Sequence, residues 1–155
     1  MKRFDLNTAE TTPHPDDPDG YRSAANRLGP SIGASKLGGT VYDLPPGQSI
    51  CPYHYEWDEE WLIVLRGTAL VRTPQGEEQV AAGEVVCFPP GPDGAHKVTN
   101  AGGEDAGTVR VLMLSTMSDP AVAFYPDSDK VGVFVGDFRL LVPRGSGVDY
   151  FEGEV

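Results

Sequence analysis

The stretch Pro52-Tyr-His-Tyr-Glu-Trp-Asp-Glu-Glu-Trp-Leu-Ile-Val-Leu-Arg-Gly67 carries the strongest signal in the chain. Residues two apart in an extended strand share a face, so His54 and Glu56 are expected to point the same way. Glu60 has the same parity and joins them if the strand bends only gently. Imidazole and carboxylate groups are common ligands of divalent metal ions. The stretch therefore predicts a metal site on one face of an extended segment.

Residues 61–65 are apolar on both faces, which is typical of a strand that is buried on both sides. The predicted site thus lies where a strand enters the core. The outward parity also forms a long apolar row, and so large a patch is rarely left open to water. A homodimer is the simplest cover for this row, which consists of Tyr53, Tyr55, Trp57, Trp61, Ile63 and Leu65.

A second stretch, Gly83-Glu-Val-Val-Cys-Phe-Pro-Pro-Gly91, has the pattern of a turn, a short buried strand and another turn. His96 and Asn100 follow it. This stretch resembles the second motif of the cupin family, which runs Gly, five residues, Pro-x-Gly, two residues, His, three residues and Asn. Here four residues instead of two separate Pro89-x-Gly91 from the histidine.

The first stretch resembles the other cupin motif, which runs Gly, five residues, His-x-His, three or four residues, Glu, six residues and Gly. The chain has Gly47, six residues, His54-x-Glu56, three residues, Glu60, six residues and Gly67. The resemblance covers roughly residues 39–115. The insertions fall in loops, whereas the carboxylate at position 56 replaces the second histidine of the family motif.

This resemblance implies an all-β fold, a jelly-roll double-stranded β-helix with its site inside the barrel. It implies a divalent metal held by His54, Glu56, Glu60 and His96, with Mn, Fe, Ni and Zn all compatible with such ligands. Glu56 and Glu60 compete for the roles of ligand and catalytic base. The alternative is a barrel that kept the motif but lost its metal, which would leave at least one carboxyl with a raised pKa.

Composition and length predict one domain built mainly from strands and turns. The chain has 155 residues, with 19 glycines and 14 prolines. Residues 1–29 are expected to form an N-terminal arm, either mobile or lying along the barrel, and the Pro- and Asp-rich residues 11–20 are expected to hold no regular element. Residues 30–118 are expected to form the barrel, and residues 119–155 a C-terminal extension packed on it.

The net charge of the chain limits the classes of partner that it is expected to bind. A net charge of −11 argues against nucleic acid and against an anionic membrane surface. No apolar run follows Lys2 and Arg3, so no secretory signal is predicted, and no stretch reaches the roughly 20 apolar residues of a membrane span. Two cysteines do not make a disulfide framework. We therefore expect a cytoplasmic protein with reduced thiols.

Several residues near the motifs have simpler interpretations. By parity Cys51 points away from the site, and core packing is expected for it and for Cys87. Arg66 and Arg110 either bind a substrate carboxylate or pair with a neighbouring acid. Six apolar residues are expected to line the cavity or the core: Leu62, Val64, Phe88, Val98, Val111 and Met113.

Two classes of function fit this sequence. The first is a metal-dependent enzyme of the oxygenase, decarboxylase or isomerase type that acts on a small molecule in the barrel. The second is a non-catalytic cupin that binds a small molecule, with a structural metal or none. The fold alone does not separate them, because one barrel hosts many chemistries.

Overall fold

The computed structural model describes residues 1–154, and the regular elements within them are almost all antiparallel strands. No helix in this part of the chain is long and apolar enough to cross a membrane. The elements are β1 (Thr12–Pro13), β2 (Ala24–Arg27), α1 (Leu28–Ile32), β3 (Leu37–Leu44), β4 (Tyr55–Glu56), β5 (Glu60–Arg66), β6 (Thr68–Thr73), β7 (Gly76–Ala81), β8 (Val85–Phe88), β9 (Lys97–Thr99), β10 (Val109–Thr116), β11 (Ala121–Tyr125), β12 (Lys130–Val135) and β13 (Phe138–Pro143), with 3-10 turns at Pro92–Gly94, Pro126–Ser128 and Arg144–Ser146.

The strands form three sheets, with orders β1-β2-β3-β10-β5-β8, β7-β6-β9 and β13-β12-β11-β4. In the first sheet β10 lies between β3 and β5, so strands far apart in sequence are neighbours. An isolated bridge between His54 and His96 joins the segment before β4 to the segment before β9. The all-β jelly-roll barrel predicted from the motifs is confirmed.

The barrel interior is apolar except at one end. Along β5 the burial alternates, with Leu62 and Val64 buried and Trp61 exposed, so the expectation that both faces are buried is wrong at Trp61. Complete burial of a leucine side chain stabilises the fold by about 1.5–3 kcal/mol. The interior cluster consists of Leu44, Leu62, Val64, Ala69, Val71, Val80, Phe88, Val98, Val109 and Val111.

The N-terminal arm lies along the barrel and extends its largest sheet. Strands β1 and β2 pair with each other and β2 pairs with β3, which corrects the expectation that residues 11–20 hold no regular element. The buried Arg110 guanidinium fastens the arm, since it donates to the carbonyls of Leu6 (2.9 Å) and Ala9 and pairs with Asp43 (2.8 Å). Arg66 also pairs with Asp43 at 3.4 Å, so both arginines are bound to an acid.

The arm also covers part of the outward apolar row. Ile63 and Leu65 pack with Phe4 and Leu6 around a second buried cluster, formed by Leu28, Val41 and Leu112. Trp57 and Trp61 remain 60% and 44% exposed. The outward row is therefore divided between a part covered within the chain and a part that faces solvent.

The C-terminal sheet packs on the barrel. Strand β11 pairs with β4, and the rings of Phe124 and Tyr55 stack at 5.0 Å. Beyond β11, the carboxylate of Asp127 accepts two hydrogen bonds from Arg72 of β6, at 2.6 and 2.9 Å. The Arg72 guanidinium also lies 4.0 Å over the ring of Tyr53. These contacts connect the C-terminal sheet to the barrel on two sides.

Candidate metal centre

Three of the predicted site residues converge at the polar end of the barrel. His54, Glu60 and His96 each offer one donor atom within 4.8 Å of the others. Oε2 of Glu60 lies 3.8 Å from Nε2 of His54 and 3.6 Å from Nε2 of His96. Their side chains are 9%, 15% and 2% exposed, respectively. The sequence prediction that these groups share one place in the barrel agrees with this geometry.

Backbone contacts orient both histidines. His54 and His96 exchange two backbone hydrogen bonds, at 3.1 and 2.8 Å, so their side chains enter the cavity side by side. Nδ1 of His54 lies 3.0 Å from the carbonyl of Pro52, and Nδ1 of His96 lies 2.9 Å from the carbonyl of Gly94. A carbonyl only accepts, so each Nδ1 carries the proton and each Nε2 presents its lone pair to the cavity.

His96 has further support from the core. Phe88 stacks on its imidazole with the ring centroids 3.7 Å apart and the planes 6° from parallel. The Nδ1 hydrogen bond to a carbonyl is also typical of ligand histidines in proteins, whose second ring nitrogen donates to a carbonyl or carboxylate. The orientation of the two imidazoles is thus built into the barrel.

The donor set fits one divalent ion. Two donors bound to an ion at about 2.1 Å lie about 3.0–3.5 Å apart at tetrahedral or octahedral angles. The distances of 3.6 and 3.8 Å from Glu60 to the two histidines exceed this range by a few tenths of an ångström. Small side-chain rotations close such a gap. Two neutral imidazoles and a carboxylate suit Mn, Fe, Ni or Zn.

Glu56 lies beside this group and not within it. Its Oε1 is 3.9 Å from Nε2 of His54, and its side chain is 24% exposed, more than the side chains of the other three site residues. The carbonyl of Glu56 accepts a 2.7 Å hydrogen bond from Gly91, whose φ of +87° is one that glycine adopts without strain. The two predicted motifs therefore meet through the backbone at this point.

The pKa values of the site residues are those expected of a buried group of ligands in the absence of a cation. Burial, followed by the charges of Glu56 and Asp58, raises the pKa of Glu60 to about 8. Burial and Asp58 also raise the pKa of Glu56. Burial and the proximity of His54 lower the pKa of His96 to about 4, and burial lowers the pKa of His54. Near pH 7 without an ion, both histidines are neutral and Glu60 largely retains a proton.

The donors open into a cavity of about 240 Å³. Val98 and Met113 line it, and the other four apolar residues predicted for cavity or core belong to the interior cluster. The complete lining is Tyr42, Ile50, Cys51, His54, Glu56, Glu60, His96, Val98, Met113 and Tyr125.

The parity expectation for Cys51 is wrong. Its thiol lines the cavity, and its Sγ lies 3.5 Å from Nδ1 of His54. Residues 50–53 form bends and not a regular strand, so alternation of faces does not apply to them. Burial raises the pKa of the thiol, which keeps it protonated. Cys87, in contrast, is exposed on β8.

Tyr125 is the lining residue that sequence reasoning missed. It comes from the C-terminal sheet, and its ring lies alongside the His54 imidazole with centroids 5.9 Å apart and planes 22° from parallel. It lies 25 positions beyond Asn100, the end of the second motif, so motif spacing offered no signal for it. Burial is the main cause of the raised pKa of its hydroxyl.

Comparisons with known proteins agree with this architecture. Residues 40–113 match the family model described as Cupin domain. A sugar phosphate isomerase of the cupin superfamily from Silicibacter pomeroyi has a similar structure, with a TM-score of 0.80 and 21% identity over 97% of this chain and 98% of that one. The family match identifies residues 40–113 as a cupin domain, in agreement with the barrel and the two motifs.

Two further solved structures share the fold. A putative sugar phosphate isomerase from Acidithiobacillus ferrooxidans has a TM-score of 0.75 and 24% identity, over 84% of this chain and 81% of that one. A polyketide cyclase from Streptomyces resistomycificus has a TM-score of 0.61 and 24% identity, over 78% of this chain and 83% of that one. A search of curated proteins found no significant match.

Proposed function

We propose that this protein is a metal-dependent enzyme that acts on a small oxygen-containing molecule inside the barrel. The observation that carries the proposal is the convergence of His54, Glu60 and His96 on one cavity, with the Glu56 carboxylate beside them. A purely structural ion needs a closed ligand shell, whereas three protein ligands beside a cavity leave positions for a substrate.

In this proposal His54, Glu60 and His96 hold the ion, and Glu56 is either a fourth ligand or the base. A bound Mn, Fe, Ni or Zn ion would polarise a substrate oxygen and stabilise negative charge on it. The barrel residues fix the ligand positions through the backbone hydrogen bonds of His54 and His96. Glu56 has its carboxyl within the same cavity, where it can reach a bound molecule.

An isomerase-type proton transfer is the reaction we favour. Such a reaction needs a base that removes a proton beside a carbonyl and returns it to the neighbouring carbon. Burial raises the pKa of Glu56 above the ordinary carboxyl value, which brings it closer to the pH at which a base must both accept and release a proton. Two structurally similar proteins bear the name sugar phosphate isomerase, which makes this reaction class the first to assay.

An oxygenase is the second candidate, because the kind of ligand set formed by His54, Glu60 and His96 also occurs in oxygenases. Two histidines and one carboxylate with open positions are the ligand set of many non-haem iron oxygenases. A Glu56 that stays out of the coordination shell leaves an open position for dioxygen, which supports the oxygenase. It also leaves Glu56 free to act as the base of an isomerase, so the measured turnover decides between the two.

The test begins with the metal and proceeds to turnover. Purified protein is analysed for bound metal, loaded separately with Mn, Fe, Ni and Zn, and assayed for isomerisation of hydroxyaldehydes and hydroxyketones and for oxygen uptake with catechols. His96→Ala serves as the metal-free control. Turnover that follows metal content supports the proposal, whereas stoichiometric metal with no turnover across the panel favours the non-catalytic alternative. Absence of metal binding contradicts both forms of the proposal.

A homodimer remains part of the proposal. Trp57 and Trp61 are exposed on the outward face, and Val85 of the edge strand β8, which pairs with Ile63 of β5, is 58% exposed. Light scattering that returns the mass of one chain would contradict the dimer. The cytoplasmic location and the boundaries at residues 29 and 118 likewise remain predictions.

A further inference from the structure

The cavity lining contains no lysine or arginine among the residues that the structure describes. Its ionisable groups are two histidines, two carboxyls, two phenols and one thiol. Two carboxylates already balance the charge of a divalent ion at the site. The Lys130 ammonium lies 5.5 Å from the centroid of the Tyr125 ring but is not part of the lining. A phosphate or second carboxylate among the lining groups would therefore lack a partner there, and a buried unpaired charge is strongly unfavourable.

The size of the cavity limits the ligand to a small molecule. Its volume of about 240 Å³ corresponds to the liquid volume of roughly eight water molecules. This is below the range of about 300–1,000 Å³ typical of pockets for larger ligands. A molecule with three or four carbons and their oxygens fits within it, and the absence of a cationic side chain in the described lining, not the volume, distinguishes it from its phosphate ester.

Two phenols line the cavity, and their settings differ. Tyr42 belongs to the barrel strand β3 and packs against the interior cluster. Tyr125 belongs to β11, is half-buried, and its ring lies along the His54 imidazole. A phenol with an ordinary pKa of about 10 keeps its proton at neutral pH and is a hydrogen-bond donor. Tyr125 is therefore placed to meet a molecule that enters and approaches the histidines.

The position of Tyr125 is held from both sides. The preceding residue, Phe124, stacks on Tyr55 at 5.0 Å and pairs with it across the strands. Two residues later, Asp127 receives both hydrogen bonds from Arg72 of the barrel. A side chain that is already fixed loses little conformational entropy when a ligand binds, so its hydrogen bond contributes more fully to affinity and specificity.

We propose that the cavity takes a small uncharged molecule with adjacent hydroxyl and carbonyl oxygens, and that the Tyr125 hydroxyl donates a hydrogen bond to one of these oxygens. This inference rests on the metal site proposed above. It departs from the substrates named for the sugar phosphate isomerases of similar fold, because the described lining has no group to pair with a phosphate.

The experiment uses the full chain loaded with Co(II), whose visible absorption reports on the ligands of the ion. Dihydroxyacetone and dihydroxyacetone phosphate are titrated into wild type, Tyr125→Phe and Tyr55→Phe, and binding is followed by calorimetry and by the cobalt spectrum. Tyr55→Phe is the matched control, since it removes a hydroxyl from the same sheet but outside the cavity lining.

We expect wild type to bind dihydroxyacetone at least about tenfold more tightly than its phosphate ester. Tyr125→Phe should weaken dihydroxyacetone about three- to tenfold, as expected for one neutral hydrogen bond, with the cobalt spectrum of the ligand-free protein unchanged. Tyr55→Phe should bind like wild type.

Different results would overturn the substrate class, the role of Tyr125 and the metal site. Tighter binding of the phosphate ester, or no binding of either probe by cobalt-loaded wild type, overturns the substrate class. Equal affinities of Tyr125→Phe and wild type overturn the role of Tyr125. If wild type does not bind Co(II) at all, the metal site itself is wrong and this inference falls with it.

Discussion

The barrel and the C-terminal sheet contribute differently to the same cavity. The barrel supplies His54, Glu60 and His96 from segments packed against a dry core, and His96 is only 2% exposed. The C-terminal sheet supplies Tyr125, and its last strand, β13, has five exposed residues out of six. Well-packed segments open rarely and lightly packed ones open more easily. We therefore expect metal affinity to depend on the barrel and specificity for the small molecule to depend on the C-terminal sheet.

Loss of a barrel ligand should have the largest effect. His96→Ala removes a donor and leaves a void beneath Phe88, so we expect metal affinity to fall by more than the about 10- to 100-fold seen when only an outer partner of a ligand is lost. His14→Ala is the matched control, because His14 lies in the arm with a side chain that is 68% exposed. Isothermal titration with Zn or Mn measures both. Equal affinities of the two variants would contradict the comparison.

Glu60→Gln should lose metal binding and also change the pH dependence of stability. The folded-state pKa of Glu60 is about 8 against an ordinary value of 4.5, so the folded protein holds this proton more tightly than the unfolded chain. Its contribution to stability is complete below pH 4.5 and is lost as the pH rises towards 8. The neutral glutamine avoids this loss, so metal-free Glu60→Gln should exceed metal-free wild type above pH 8 by on the order of a few kcal/mol.

Urea unfolding at pH 5 and pH 9 measures this difference, and Glu77→Gln on exposed β7 is the control. The same pKa predicts that metal binding near pH 7 releases about one proton, which calorimetry in buffers of different ionisation enthalpy detects. A metal-free Glu60→Gln variant that is less stable than wild type at pH 9 would refute the electrostatic account.

Glu56 should have a smaller effect on metal than Glu60. Its carboxylate lies outside the three-residue group, so Glu56→Gln should weaken metal binding by about tenfold or less and should abolish proton transfer. Glu56→His should shift the metal preference towards Zn, Ni or Cu if this position is a ligand. Metal content of the three proteins loaded from one mixed-metal buffer separates ligand from base. A loss as large as that of Glu60→Gln would place Glu56 in the coordination shell.

The smallest effect is expected from the connection between the two regions. Asp127→Asn breaks the exposed pair with Arg72, and such pairs contribute about 0.2–1 kcal/mol. Metal affinity should stay unchanged, whereas the affinity for a small hydroxyketone should fall slightly because Tyr125 is less well held. Denaturant unfolding and calorimetry measure the two quantities. A change in metal affinity would show that the barrel and the C-terminal sheet are not separable.

Strand parity predicted part of the site and failed where the strand is irregular. His54 and Glu60 share the cavity, but bends at residues 57 and 58 separate β4 from β5, so parity alone does not explain the position of Glu60. Cys51 was assigned to the wrong side because the chain bends between residues 50 and 53. Alternation of faces is a property of extended backbone only.

The apolar outer row shows a second limit of local patterns. The sequence indicated that the row is covered, but not by what. Part of the cover is the arm itself, through Phe4 and Leu6 on Ile63 and Leu65, and Arg110 holds that arm in place. Contacts between residues about 60 to 100 positions apart follow from how the sheet closes, and periodicity within a segment carries no information about them.

Strand period, turn residues and ligand chemistry are local properties, so they were enough to predict the all-β barrel and to nominate four donor residues. They could not predict that Glu56 lies beside the three-residue group, that Cys51 enters the cavity or that Tyr125 borders it, because these positions follow from the tertiary structure. The position of Glu56 depends on the pairing of β4 with β11, that of Cys51 on the bends at residues 50–53, and that of Tyr125 on the placement of the C-terminal sheet. Their positions result from packing energy summed over the whole barrel, which no single stretch of the chain contains.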